Sequence, residues 1–342
     1  MNLLIIGYCH LQDGFLYASK SLERKKYKIF FFPYLSHIMD KIENIDDILI
    51  EYIYKNNIEI CLWWCNYLKY DNYEYIISSL MNKYIQNIFF NWDPYLYNYE
   101  KYKSFYWQDV IIEKKKIYKL MNCVLSCFEK EIDYFKNKLE IKYSFPGYDF
   151  DISKYLYDDN YKCDISIVCT NLYDNEDQFP KESTNITRYN IVNKIYENRD
   201  KVKFFIYGPL NFKEKYPDCY QGIVSYNDCN KVFSNSIINL SIHPLIKELN
   251  SENSKEEYFS ERVPQILGCN GLLVTNSLFT DKLEKNKDYI YIDDKIDWFD
   301  YLLSIIKNTD KYNFVRENGN KKAFKYYQWD NWAEIFDSSI IK

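Results

Sequence analysis

Short apolar runs alternate with longer amphipathic stretches through most of the chain, and this alternation is what most limits its fold. The stretches between the runs, such as residues 17–26 and 73–84, carry apolar side chains near helical spacing. Strands that alternate with helices predict parallel sheets covered by helices on both faces. We therefore predict an α/β protein with parallel, doubly wound sheets. The predicted strands are residues 3–6, 27–32, 58–63, 87–91, 123–126, 164–169, 202–207, 237–242, 271–275 and 288–292.

A break in this pattern predicts two domains. The chain has 342 residues, more than one hydrophobic core usually supports. The alternation stops at residues 144–149, which include Pro146 and Gly147, and it restarts at Asp164. We predict a Rossmann-like domain at 1–155, a second at 156–324 facing it, and a helical tail at 325–342. In such architectures the tail can cross back onto the first domain.

The charge and the apolar runs make some classes of protein unexpected. A net charge of −5 disfavours binding to nucleic acid, whose phosphates attract clustered Lys and Arg. No apolar run approaches the roughly 20 residues that span a bilayer. Residues 2–7 lack the basic start, apolar length and cleavage site of a signal peptide and read as a first strand. We expect a cytoplasmic protein with no membrane span and no nucleic-acid partner.

The ten cysteines are scattered and mostly lie in apolar runs, and the chain has only three histidines. Neither residue type shows the spacing of a zinc finger. We expect reduced, buried thiols and no structural metal.

One segment reads as a short helix, a glycine turn and a buried strand. Ser260 is a predicted N-cap and Glu261 lies in the first turn, while Gly271 precedes the apolar residues 272–274. A helix start exposes backbone N–H groups, and Arg262 adds a fixed positive charge beside them. The segment therefore predicts a site for a diphosphate.

A histidine follows another buried run. His243 comes directly after residues 237–242, at the predicted carboxyl end of a strand. Ligands of open α/β sheets bind at the carboxyl ends of the strands. We therefore count His243 as a candidate site residue.

Several short motifs of the second half stand in a characteristic order. They are residues 164–168, 205–208, 222–226, 239–244, 260–262 leading to 271–275, and 317–323. Two facing Rossmann-like domains, with a diphosphate site at a helix start in the second, resemble the GT-B glycosyltransferases. The order of the motifs resembles the spore-maturation-protein-B (CgeB-like) group, whose C-terminal part carries a "glycosyl transferases group 1" domain. The resemblance covers residues 160–340 by motif and the first half by fold pattern alone.

The resemblance implies a set of donor-binding and catalytic residues. Related retaining enzymes carry a Glu near the transferred sugar and another, eight positions later, on the ribose. Here the first is Glu257 and the second is replaced by Gln265, a neutral group that still bonds hydroxyls. Asn270 stands where those relatives usually have glycine. The implied donor-binding residues are Ser260, Glu261, Arg262, Gln265, His243, Gly208 and Arg188.

The first domain would hold the acceptor. His10 lies in the first βα turn and Asp93 follows the fourth predicted strand, so either is a candidate base. A confirmed base at either position would favour inversion at the sugar carbon, whereas Glu257 favours retention. The stereochemistry stays open at this point.

The position of one acidic motif in the sequence disfavours a metal-dependent enzyme. Asp149-Phe150-Asp151 has the DxD spacing with which GT-A glycosyltransferases hold a metal, but it lies at the predicted linker. We expect no cofactor and no essential metal, with Arg262 and backbone dipoles carrying the charge of the leaving diphosphate.

The function implied is transfer of a sugar from a nucleoside-diphosphate sugar, UDP- or GDP-linked, to a glycan, protein or small-molecule acceptor. Two alternatives stay open: a catalytically silent nucleotide-sugar or glycan-binding module, and a GT-B enzyme that modifies DNA bases. The sequence indicates neither the acceptor nor the oligomeric state.

Overall fold

The computed structural model describes residues 1–7, 14–64, 70–80, 84–91, 115–127, 129–151, 153–172, 187–243, 259–279, 282–293 and 295–341. The chain divides into two compact units. The first unit contains residues 1–147 and 329–342, and the second contains residues 148–328.

The first unit is built on a six-stranded sheet in the order β2-β1-β3-β4-β5-β6, and every pairing is parallel. Its strands are β1 (Asn2–Ile6), β2 (Lys28–Phe32), β3 (Ile60–Trp63), β4 (Gln86–Asn91), β5 (Cys123–Ser126) and β6 (Ile141–Tyr143). Its helices include α1 (Gly14–Arg24), α2 (Tyr34–Met39), α3 (Ile45–Lys55), α4 (Tyr70–Leu80) and α5 (Glu129–Phe135).

The second unit is built on a five-stranded parallel sheet in the order β11-β10-β9-β7-β8. Its strands are β7 (Cys163–Val168), β8 (Phe204–Tyr207), β9 (Ser236–Ser241), β10 (Leu273–Thr275) and β11 (Ile290–Tyr291). Its helices include α6 (Arg188–Glu197), α7 (Asn211–Lys215), α8 (Cys229–Asn235), α9 (Arg262–Gly268), α10 (Trp298–Lys307) and α11 (Asn313–Tyr326).

The predicted fold class, α/β with parallel doubly wound sheets, is confirmed. Strand β1, inside its sheet, shows the expected pattern: Leu3, Leu4 and Ile5 are 0% exposed, as expected of a strand covered on both faces. Strand β6 is missing from the sequence prediction. It lies at the edge of its sheet, and its three residues are half-buried and include a lysine, so no apolar run marks it.

The last helix, α12 (Trp329–Asp337), belongs to the first unit. Trp329 and Trp332 are buried, and their rings lie 5.8 and 5.5 Å from the ring of Trp64. The Nε atom of Arg24 donates to Asp330 Oδ1 at 2.9 Å. The carboxyl-terminal segment therefore completes the core of the unit in which the chain begins.

Two general features of the described residues bear on the expectations above. The eight cysteines among them are all free and buried. Within the same ranges, no helix is both long enough and apolar enough to cross a membrane.

Candidate functional site

The strand order of the second unit creates a crevice at the carboxyl end of its sheet. From β7 the chain passes to β8 on one side of the sheet, and then to β9, β10 and β11 on the other. Ligands of open α/β sheets bind where the strand order reverses in this way. The residues that leave β7 and β9 at this edge are therefore candidates for binding.

Arg188 spans this reversal point. It begins α6, its side chain is 4% exposed, and it donates from Nε (3.0 Å) and Nη2 (2.7 Å) to Ile242 O, just after β9. Its Nη1 atom donates to Asn171 O, which follows β7, at 2.5 Å. The guanidinium thus ties together the two loops that border the crevice. The contact of Arg188 with a diphosphate stays a prediction.

His243 is fixed between the ends of two strands. The Asn276 side chain accepts a hydrogen bond from His243 N and donates one to His243 O, both at 2.9 Å. The imidazole Nε2 lies 3.0 Å from Ser241 Oγ, and the ring is fully buried. Two hydrogen bonds therefore hold the segment after β9 next to the segment after β10, beyond the last paired residues of the sheet.

Two positive charges act on this edge of the sheet. Burial holds the pKa of His243 well below its ordinary value, and the nearby guanidinium groups of Arg262 and Arg188 lower it further. The same two groups oppose the rise that burial causes in the pKa of Cys169, which follows β7. His243 is therefore neutral near pH 7, and the positive field it senses favours an anion at the crevice.

Helix α9 supplies Arg262 as its first residue. Val263, Ile266 and Leu267, the predicted buried face, are 0% exposed, and Gln265 is 5% exposed. The predicted N-cap at Ser260 is wrong, because the cap residue is Glu261, whose side chain makes no capping hydrogen bond. Ser260 contributes its backbone carbonyl instead, which accepts from Val263 N at 3.0 Å.

Asn270 ends α9 in a Schellman motif. Its backbone has φ 58° in the left-handed region, Gly271 N donates to Ile266 O at 2.9 Å, and Asn270 N donates to Leu267 O at 3.0 Å. Asparagine is among the few non-glycine residues that enter this region. Asn270 therefore adopts a backbone conformation that glycine also adopts readily.

Asn270→Gly is expected to stabilise the second unit by about 0.5–1 kcal/mol, because glycine adopts positive φ without a steric cost. Asn270→Val is expected to destabilise it by about 1–2 kcal/mol, because its Cβ is branched. Urea denaturation followed by circular dichroism measures both changes. Equal stability of the two variants would show that residue 270 does not adopt the positive φ of the Schellman motif.

Gly208 follows β8 and is required by packing. A Cβ at this position would lie 2.4 Å from Cys169 O and 2.4 Å from the Phe212 ring. Its carbonyl accepts from Tyr220 Oη at 3.1 Å. The structure thus explains the glycine by close approach of neighbouring groups, and its contact with a donor stays a prediction.

Hydroxyl groups at this edge were not all predicted. Thr275 ends β10, and its Oγ1 accepts from Ser277 N at 3.1 Å. The Oγ atoms of Ser260 and Ser277 are buried and have no hydrogen-bond partner among the described residues. Ser277 and Asn276 were missed by the sequence analysis, although polar residues directly after the apolar run 272–274 are a usable signal.

A second set of polar residues lies at the carboxyl end of the sheet in the first unit. Glu131, on α5, is 0% exposed; its Oε2 accepts from Asn91 Nδ2 at 3.0 Å and from the Ser126 hydroxyl. Its Oε1 accepts from Tyr118 Oη at 3.2 Å. The carboxylate thus fixes the ends of β4 and β5. Sequence reasoning missed it, because nothing in a short charged helix signals a buried acid.

The three predicted catalytic residues, Glu257, His10 and Asp93, lie outside the described residues. Asp149 and Asp151, the DxD pair, form a turn in which Asp149 Oδ1 accepts from Asp151 N at 2.9 Å, and Asp151 pairs with Lys154 at 2.8 Å. Within the ranges that the structure describes, no three His, Cys, Asp or Glu side chains are placed to hold a metal ion together.

Part of the chain resembles a known protein family. Residues 188–337 match the family described as "Glycosyl transferase-like". The matched region contains Arg188, His243 and Arg262. A comparison with curated proteins gives no match.

Solved structures share the fold along the whole chain. An Anabaena protein, HepE, in complex with UDP has a TM-score of 0.61 at 8% identity, with 99% of each chain covered. An alpha-glucosyltransferase in complex with UDP and a 13-mer DNA has a TM-score of 0.62 at 10% identity, again over 99% of each chain. A glycosyltransferase from Rickettsia africae has a TM-score of 0.61 at 12% identity, over 99% of this chain and 98% of that one.

The fold is therefore that of the GT-B glycosyltransferases. The family match and this fold together support a glycosyltransferase.

Proposed function

We propose that this protein transfers a sugar from a nucleoside-diphosphate sugar to a hydroxyl or amine of an acceptor, with the donor bound at the carboxyl edge of the second unit's sheet. The observation that carries the proposal is the placement of two guanidinium groups, those of Arg262 and Arg188, near His243 and Cys169 at the strand-order reversal, where Arg188 is held by the loops after β7 and β9. The solved structures of the same fold that contain UDP support a uridine donor as the first choice.

The proposed donor contacts divide by chemistry. Arg262 binds the diphosphate, because a guanidinium matches phosphate oxygens in both charge and geometry. The hydroxyls of Ser260 and Ser277 and the amide of Gln265 bond the ribose and phosphate oxygens. Arg188 acts as a positioning residue that keeps the loops after β7 and β9 in place.

The reaction breaks the bond between the sugar carbon and the diphosphate, and it forms a bond from that carbon to the acceptor oxygen or nitrogen. Negative charge grows on the departing diphosphate, and Arg262 stabilises it in the transition state more than in the ground state. The acceptor proton passes to a base, for which His10 and Asp93 are the candidates under inversion, while Glu257 serves the retaining route. We propose that no metal is needed.

The test is a thermal-shift and hydrolysis screen against UDP- and GDP-sugars, with and without EDTA. Stabilisation by one nucleotide class that is insensitive to EDTA, together with released nucleotide, is the expected result. Stabilisation without any turnover, even with acceptors present, would identify a silent binding module. No response to any nucleotide sugar would overturn the proposal.

DNA is one of the acceptors that the transfer experiment tests. One structure of the same fold holds a 13-mer DNA that contains an HMU base, so the net charge of −5 does not by itself exclude this class. Transfer of a labelled sugar is measured to hydroxymethylated DNA, to a glycan and to a peptide in parallel. The acceptor that becomes labelled identifies the acceptor class.

A further inference from the structure

A cavity lies in the second unit, at the edge of the sheet opposite the carboxyl edge described above. It has a volume of about 460 Å³ and is lined by the first residues of β7 and β9, Cys163 and Ser236. The amino ends of parallel strands lie at the opposite edge of the sheet from their carboxyl ends. Because β7 has six residues, roughly 17 Å of strand separates the two edges. We call this cavity the amino-edge pocket.

The amino-edge pocket is positively charged, in contrast to the chain as a whole. Its lining includes three cations, Lys162, Lys203 and Arg316, and one acid, Asp164. Asp164 Oδ2 accepts from the backbone N of Lys203 at 2.8 Å, so this carboxylate serves the backbone. Both lysines are exposed, and neither forms an ion pair among the described residues. Two positive charges are left over in a volume that suits a small ligand.

Arg316 gives the pocket a fixed, partly desolvated cation. Its Nη2 donates to Ile237 O at 2.7 Å, while its Nε is buried and has no hydrogen-bond partner within the part of the chain that the structure describes. Burial lowers the pKa of Arg316. A cation held this way, without a carboxylate beside it, costs free energy that a bound anion would offset.

Two tyrosines line the same pocket. Tyr155 and Tyr157 are 57% and 58% exposed, so their rings are accessible to a ligand in the pocket. Tyr155 lies near enough to Arg316 to affect the pKa of that guanidinium. Ring faces beside hydroxyls and cations suit a ligand with a flat apolar face and an anionic group.

We propose that the amino-edge pocket is a second ligand site, which binds a saccharide bearing a phosphate or a carboxylate. The anionic group lies between Arg316, Lys162 and Lys203, and the sugar ring packs against Tyr155 and Tyr157. The anion follows from the pocket itself, whereas the choice of a saccharide rests on the proposed function. This site is separate from the donor site, since it lies at the other edge of the sheet.

Isothermal titration with glucose 1-phosphate, glucuronate, glucose and inorganic phosphate tests the assignment. Glucose 1-phosphate and glucuronate are expected to bind. The ratio of their two affinities shows whether the site prefers a phosphate or a carboxylate. The double variant Lys162→Gln, Lys203→Gln is expected to weaken that binding at least tenfold. Lys213→Gln, which changes an exposed lysine of α7 outside the pocket, is the matched control and is expected to bind as the wild type does.

Arg316→Gln is a stronger perturbation, but it also removes the bond to Ile237 O, so the two exposed lysines carry the test. UDP binding is measured in parallel and is expected to be unchanged in the double variant, which separates this site from the donor site. If neither anionic sugar bound, the proposal would be overturned. It would also be overturned if UDP displaced the bound sugar, or if the double variant bound the sugar as tightly as the wild type. Equal affinity for inorganic phosphate and glucose 1-phosphate would overturn the saccharide assignment.

Discussion

Arg262→Ala is expected to lower the turnover of a UDP-sugar about 100- to 1000-fold, the loss seen when one transition-state charge stabiliser is removed. Arg262 begins α9, and its charge lowers the pKa values of His243 and Cys169. It is the proposed partner of the leaving diphosphate. Affinity for UDP itself is expected to fall about 10- to 100-fold, as for loss of a charge-assisted hydrogen bond. Released nucleotide and titration calorimetry measure the two effects.

Two variants control this experiment. Arg262→Lys keeps the charge but loses the planar fork, and it is expected to recover part of the affinity and less of the turnover. Arg199→Ala changes an exposed arginine of the same unit, whose Nε lies 3.1 Å from Asp218 Oδ2, and it is expected to leave both values unchanged. If Arg262→Ala retained wild-type affinity and turnover while folding normally, Arg262 would not hold the diphosphate.

The fold was predictable because burial on both faces makes parallel strands continuously apolar. Strand β5 was predicted with its observed bounds, Cys123–Ser126, and β9 differs by one residue at each end. Strand β6 escaped because an edge strand with half-buried residues carries no such run. Sequence periodicity therefore reports the centre of a sheet better than its edges.

Candidate site residues could be proposed from the sequence where a single segment contains them, and less so where distant loops meet. Arg262 and His243 each follow from a local pattern of helix start or strand end. The network around Arg188 does not, because Asn171 is 17 residues before it and Ile242 is 54 residues after it. Only the folded second unit brings those two carbonyls to one guanidinium.

Arg188→Met is the second change with a large expected effect, here on stability. The side chain of Arg188 is almost completely buried, and its removal deletes three hydrogen bonds, two to Ile242 O and one to Asn171 O. Each bond from a charged donor contributes about 1.5–3 kcal/mol, but replacing the buried charge with an apolar side chain also removes its desolvation penalty, which offsets part of that loss. We expect the free energy of unfolding to fall by about 3 kcal/mol, measured by urea denaturation.

The matched control is Arg199→Met, at a solvent-exposed ion pair with Asp218, and its expected cost is below about 1 kcal/mol. The distinction bears on function as well as on folding. If Arg188 holds the loops after β7 and β9, UDP protects Arg188→Met less than it protects the wild type, because the crevice is no longer fixed before the ligand arrives. A variant as stable as Arg199→Met, with unaltered UDP affinity, would show that these loops hold their positions without the guanidinium.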